Sequence, residues 1–158
     1  MKNGELLAKN CCAHQTLDGN LNYSTTCLFT RKNKYIVMYD QGETGILFYP
    51  ELQYFKNKEK AYEVFTKYVI STHKELLKQH PETINRIRSF DEENKVTTVI
   101  GEISEDFDND FNHVLFYDDE LKKIVSDAGF EMLKELKEEM EGERNGQKRS
   151  CKNNKTSS

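Results

Sequence analysis

The stretch TTCLFTRKNKYIVMYD, Thr25 to Asp40, decides the fold class. β-Branched and aromatic residues dominate its two halves, Thr25–Thr30 and Lys34–Asp40, and the polar Arg31-Lys32-Asn33 stands between them. Two such runs around a short polar break read as a β-hairpin. A third run, Gly45–Tyr49, follows Gln41-Gly42-Glu43-Thr44, so the spacing predicts a three-stranded antiparallel meander. In the middle strand Tyr35, Val37 and Tyr39 share one face and Ile36 and Met38 the other. Both faces are apolar, which predicts a central strand covered at least in part on both sides.

Downstream, Pro50 is expected to end the meander and Asn57 to cap a helix. Ala61, Val64, Phe65, Tyr68, Val69, Thr72, Leu76 and Leu77 then recur at helical spacing as far as His80-Pro81. Pro81 suits the first position of a short second helix carrying Ile84 and Ile87. Val96–Ile103 reads as a strand, Ser104–Asn112 as an acidic loop and His113–Tyr117 as a further short strand. Asp118 caps a last helix whose stripe is Leu121, Ile124, Val125, Ala128, Met132, Leu136 and Met140, with Gly129 its weak position. Upstream, Glu5–Asn10 reads as a turn of helix and Cys11–Tyr23 as a loop broken by Asp18-Gly19-Asn20. The expected fold is α+β: a small antiparallel three-stranded meander packed by a long amphipathic helix, followed by a strand-loop-helix unit. Residues 1–142 are expected to form a single domain and 143–158 a disordered basic tail, since the tail has no apolar period.

At 158 residues, one domain with a modest core fits the 36% apolar and 32% charged composition. No segment has the roughly 18 apolar residues of a membrane span, and Met1–Asn10 lacks an apolar signal core, so a cytoplasmic protein is expected. Cys11, Cys12, Cys27 and Cys151 make a poor disulfide framework, two being adjacent and one in a polar tail, and are read as reduced thiols.

Charge is strongly divided along the chain. Between Asp91 and Glu143 18 acids face five lysines, whereas residues 1–90 hold 13 Lys/Arg against nine acids and residues 144–158 hold five basic residues and no acid. Such asymmetry speaks to partners and association rather than to fold. Lys56, Lys58 and Lys60 gather at a helix N-terminus, where anions are favoured, and Glu131, Glu135, Glu138, Glu139 and Glu141 at the expected C-terminus of the last helix, where cations are favoured. Glu131–Glu135 and Glu135–Glu139 are also like-charge pairs at four-residue spacing. Choices that break local rules point to function or to an unseen partner, unless the two clusters face each other within the fold.

Motifs for chemistry are weak. Cys11, Cys12, His14 and Cys27 offer zinc ligands, but adjacent cysteines point apart where structural zinc needs them separated by two to four residues. A cysteine nucleophile paired with His14, His73, His80 or His113 lacks a Gly-rich oxyanion turn or a helix N-terminus to lower the thiol pKa. Asp106–Asn112 resembles half of a calcium loop, but Phe111 occupies the position that needs Gly and Tyr117 the one that needs Glu. No metal and no cofactor is expected.

The function expected is therefore non-enzymatic. An acidic C-terminal half, through Asp106, Asp108, Asp110, Glu120, Asp127, Glu131, Glu135 and Glu138, docks on the basic surface of a larger protein such as a nuclease or another nucleic-acid-binding enzyme and blocks it. Anti-restriction, anti-CRISPR and nuclease-immunity proteins are classes with this size and charge habit. The alternative is a nucleic-acid-binding module built on the basic aromatic meander from Phe29 to Tyr39, where Arg31, Lys32 and Lys34 stand beside aromatic rings. A cysteine-dependent enzyme is the third reading.

Overall fold

The computed structural model describes residues 4–15, 18–43, 49–86 and 113–155. Strands β1 (Leu6–Gln15), β2 (Leu21–Arg31), β3 (Lys34–Glu43) and β4 (Glu51–Phe55) precede helices α1 (Lys58–Gln79) and α2 (Pro81–Arg86); β5 (His113–Phe116) and α3 (Asp119–Lys155) follow. The strands form one antiparallel sheet in the order β4-β3-β2-β1-β5. The fold is thus α+β, an antiparallel sheet packed by a helix and completed by a further strand-helix unit.

The hairpin expected in Thr25–Asp40 forms with a two-residue turn, Arg31 pairing with Lys34. Lys32 and Asn33 both take positive φ, 49° and 60°. Two left-handed residues match the turn to the twist of the strands, and Asn accepts that conformation more readily than Lys.

Two strands differ from expectation. Residues read as a helical turn and a loop form β1, which pairs with β2 from Leu6↔Phe29 to Gln15↔Leu21 and with β5 from Ala8↔Phe116 to Cys11↔His113. After Leu6 and Leu7 its residues are small or polar, so propensity gives no strand signal. A strand between two partners gains ladder bonds on both edges, and small Ala8, Asn10 and Cys12 let a helix approach. The fourth strand begins after Pro50 rather than ending before it, since proline is tolerated at the threshold of an edge strand. Of the expected strand at 45–49, only the exposed Tyr49 is described. Ile87, the strand at Val96–Ile103 and the acidic loop at Ser104–Asn112 lie outside the described residues.

Register sorts the sheet into rows. Phe116–Ala8–Leu28–Val37–Gln53 and Val114–Asn10–Thr26–Tyr39–Glu51 run across one face. Helix α1 lies against that face: Tyr35 meets Tyr62 edge-on at 6.3 Å, Tyr39 stacks on Tyr68 at 4.5 Å, and Asn10 bonds His73. Phe65, Val69 and Leu77 are fully buried and join Leu28 and Val37 in the core. Asn57 caps α1 as expected, its side chain accepting from the Lys60 N–H at 3.0 Å. On the opposite face Ile36 is buried and Met38 half-buried, while Leu52 and Tyr54 on β4 are exposed.

Asp118 caps α3, its Oδ1 accepting from the Leu121 N–H at 2.8 Å. Leu121, Val125, Met132, Leu133 and Leu136 enter the same core as α1. Ile124 of the expected stripe is exposed, and Gly129 and Phe130 are buried instead. The helix runs on to Lys155, through residues expected as a disordered basic tail from 143. Gly142, Glu143 and Gly146 are exposed there, so continuing backbone bonds, not buried apolar groups, are the visible support. Among the described residues no helix is long and apolar enough to cross a membrane.

Candidate functional site

Of the expected acidic surface, Asp106, Asp108 and Asp110 lie outside the described residues. The remainder lies on α3. Glu120, Asp127, Glu131 and Glu138 fall on one line at about 100° per residue, with Glu135 beside it, over roughly 27 Å of helix at 1.5 Å per residue. Glu131, Glu135 and Glu138 are exposed and Asp127 is half-buried. Among the described residues none of these four pairs with a cation. Lys123 and Lys134, also exposed, border the line on one side.

Glu120 is different: its carboxylate accepts from Lys58 Nζ at 2.8 Å, tying the first turn of α3 to the first turn of α1. Lys58 also lies 5.7 Å from the centre of the Tyr62 ring, and the bond to Glu120 raises its pKa. Lys60 reaches Glu63 at 3.8 Å. Burial, with Asp118 beside it, raises the pKa of the Tyr62 hydroxyl. Lys58 and Lys60 at the start of α1 are thus met by acids of α3 and of α1 itself, not by the Glu131–Glu141 cluster. That cluster is not at a helix end either. Because α3 continues to Lys155, Arg144, Lys148, Arg149, Lys152 and Lys155 occupy its last turns, the sign a C-terminus favours. Only the like-charge spacing of Glu131, Glu135 and Glu139 still breaks a local rule.

A second feature was not foreseen. Between the helix-facing side of β1–β3 and the C-terminal half of α1 opens a cleft of about 700 Å³. The sheet supplies Cys12, Asn22, Ser24, Tyr39, Gln41 and Glu43, and α1 supplies Tyr68, Ser71, Thr72, Glu75, Leu76 and Gln79. The Tyr39–Tyr68 stack stands at its inner end, with the Tyr39 hydroxyl donating to Gln41 at 3.2 Å and that of Tyr68 accepting from Gln53 at 2.7 Å. Glu43 accepts from Asn20 at 3.2 Å. Among the described residues the lining holds two carboxylates and no Lys, Arg or His.

Next to the cleft lies a buried polar layer. His73 Nε2 is 2.9 Å from Asn10 Oδ1, and Asn10 is the cross-strand partner of Thr26. All three are essentially without solvent exposure, yet His73 Nδ1, Asn10 Nδ2 and Thr26 Oγ1 have no partner among the described residues. An orphaned buried polar group costs about 1–3 kcal/mol, so three in one layer is unusual. Burial holds His73 neutral, its pKa pushed down to about 4. The signal was present in the sequence: His73 sits four residues after Val69 in the apolar stripe of α1.

Alternation along β1 sends Cys11 and Cys12 to opposite faces. Cys11 Sγ lies 3.7 Å from Thr25 Oγ1. Burial pushes the Cys12 thiol up to about 12 and raises that of Cys27, the wrong direction for a thiolate nucleophile or ligand. In the meander, Arg31, Lys32 and Lys34 are exposed at the hairpin tip, but the rings of Tyr35 and Tyr39 are packed against α1. Comparison with protein-family models, curated proteins and solved structures finds no match for this chain.

Proposed function

We propose that this is a small non-enzymatic interaction protein that lays the acidic face of α3 on a basic surface of a larger protein and occludes it. A nuclease or another nucleic-acid-handling enzyme is the partner class, and the anti-restriction, anti-CRISPR and nuclease-immunity kinds are the functional analogues. One observation carries the reading: Glu131, Glu135 and Glu138 project from a helix whose other side is anchored in the core, and none is neutralised by a described neighbour. A rigidly anchored face lowers the ordering cost of docking, and complementary charge raises the association rate. Tyr35 and Tyr39 make ring contacts with Tyr62 and Tyr68 of α1, so the nucleic-acid-binding alternative would have to share these rings with the packing of that helix.

The test is a capture experiment with the wild type and Glu131→Lys/Glu135→Lys/Glu138→Lys in parallel. The variant should fold, because the three side chains are exposed and surface substitutions away from packed features usually change stability by no more than about 0.5 kcal/mol. A true partner is retained by the wild type, released by moderate salt, lost by the variant and inhibited in its nucleic-acid activity only by the wild type. Partners held equally by both proteins, or held without salt dependence, would overturn the reading.

A further inference from the structure

We infer that the cleft between α1 and the β1–β3 end of the sheet is a binding site for a small organic cation, of the polyamine or quaternary ammonium class. At about 700 Å³ its volume falls within the roughly 300–1,000 Å³ typical of small-molecule sites. Glu43 from β3 and Glu75 from α1 stand on its two walls, with no cationic side chain among the described residues of the lining. Neither carboxylate has an ion-pair partner among the described residues. A wall of this sign repels phosphates, nucleotides and carboxylic acids and attracts cations.

Three further observations narrow the ligand. Tyr39 and Tyr68 bring electron-rich rings to the inner end, the groups that hold alkylammonium ions where carboxylates alone would hold them loosely. A metal ion is a poor fit, because no group of three His, Cys, Asp or Glu side chains converges among the described residues. Ser24, Gln41, Ser71, Thr72 and Gln79 offer neutral acceptors for the N–H groups of an amine. Directly inward of the Cys12–Ser24–Gln41 row lies the row of Asn10 and Thr26, under His73, with its three unpartnered polar atoms. Those three residues do not line the cleft, but they make the layer beneath its floor polar rather than apolar. Cys12, at that floor, is a neutral buried thiol, so the site binds and does not attack.

The test uses spermidine and tetraethylammonium as cationic probes, glucose as a neutral one and inorganic phosphate as an anion, by calorimetry and ligand-observed NMR at fixed ionic strength. One of the cations should bind saturably at one per chain, and phosphate should not. Affinity should fall at least tenfold in Glu43→Gln/Glu75→Gln and be abolished by Ser71→Arg, which places a cation at an exposed rim position. The charge-reversed α3 variant should bind the cation unchanged, which separates this site from the acidic face of α3. The inference is overturned if neither cation binds saturably, if the cleft variants bind as well as the wild type with folding verified by circular dichroism, or if glucose binds in the cations' place. Equal weakening in the α3 variant would also overturn it, as diffuse attraction to an acidic protein.

Discussion

Acidification tests the buried layer between β1 and α1. His73 takes its proton near 6.5 in an unfolded chain and only at about 4 in the fold, because burial penalises the charged ring. The folded value is the lower one, so its contribution is complete above 6.5 and is lost as pH falls toward 4. A separation of this size amounts to about 3 kcal/mol across the whole window, with about 2 kcal/mol gone by roughly pH 5. His73→Gln cannot titrate and still offers an N–H to Asn10 Oδ1. Urea unfolding of both proteins at neutral pH and at about pH 5 isolates the histidine, since carboxylates such as Glu63, held low by Lys67 and Lys60, affect both alike. The glutamine variant should be the less stable at neutral pH, and the gap should narrow by about 2 kcal/mol on acidification. If both proteins lose the same stability between the two conditions, the neutral buried imidazole is not linked to folding and the reasoning fails.

Thr26→Val removes a buried hydroxyl without a partner at nearly constant shape, and should leave the urea midpoint unchanged or raise stability by up to about 1 kcal/mol. A clear loss would mean that the hydroxyl is satisfied in solution. Gly42→Ala sets a Cβ onto the ring of its cross-strand partner Tyr23, so the ring must move; about 1 kcal/mol of stability should go, with shifted Tyr23 ring resonances by NMR. Phe65→Ala empties a fully buried position in the core and should cost about 3–5 kcal/mol in the same unfolding assay.

The hairpin, the caps at Asn57 and Asp118 and the helix opened by Pro81 were legible because each is written in local chemistry: a turn, a carboxamide or carboxylate one turn ahead, a fixed φ. β1 was not legible, because its strand character comes from two neighbours and not from its own residues. A central strand under a helix needs small side chains, and Ala8, Asn10 and Cys12 look like loop when read alone. The last helix is legible from its Asp118 cap and its apolar stripe, and its backbone runs on to Lys155, past the last residue of that stripe. The cleft was invisible for a different reason. Glu43 and Glu75 are 32 positions apart, and only the register of β3 and the path of α1 bring them to one opening.

Both candidate surfaces carry the same sign, and that constrains what the molecule can meet. The α3 face shows Glu131, Glu135 and Glu138 to solvent and the cleft shows Glu43 and Glu75, so a phosphate backbone is repelled at either. Direct nucleic-acid binding would have to use a basic segment, either the hairpin tip at Arg31, Lys32 and Lys34 or the C-terminal turns of α3 with Arg144, Lys148, Arg149, Lys152 and Lys155. At the tip, three exposed cations whose neighbours Tyr35 and Tyr39 pack against α1 bind phosphate weakly and without base preference. The partners proposed for the acidic surfaces, a basic protein and an organic cation, differ in reach. A protein docking on α3 is steered from about a Debye length away and weakens with salt. A small cation seated between two walls and beside aromatic rings is partly desolvated, so its affinity should depend less steeply on salt. Salt titration thus distinguishes the two surfaces without any substitution, and places each ligand on the surface whose physics it follows.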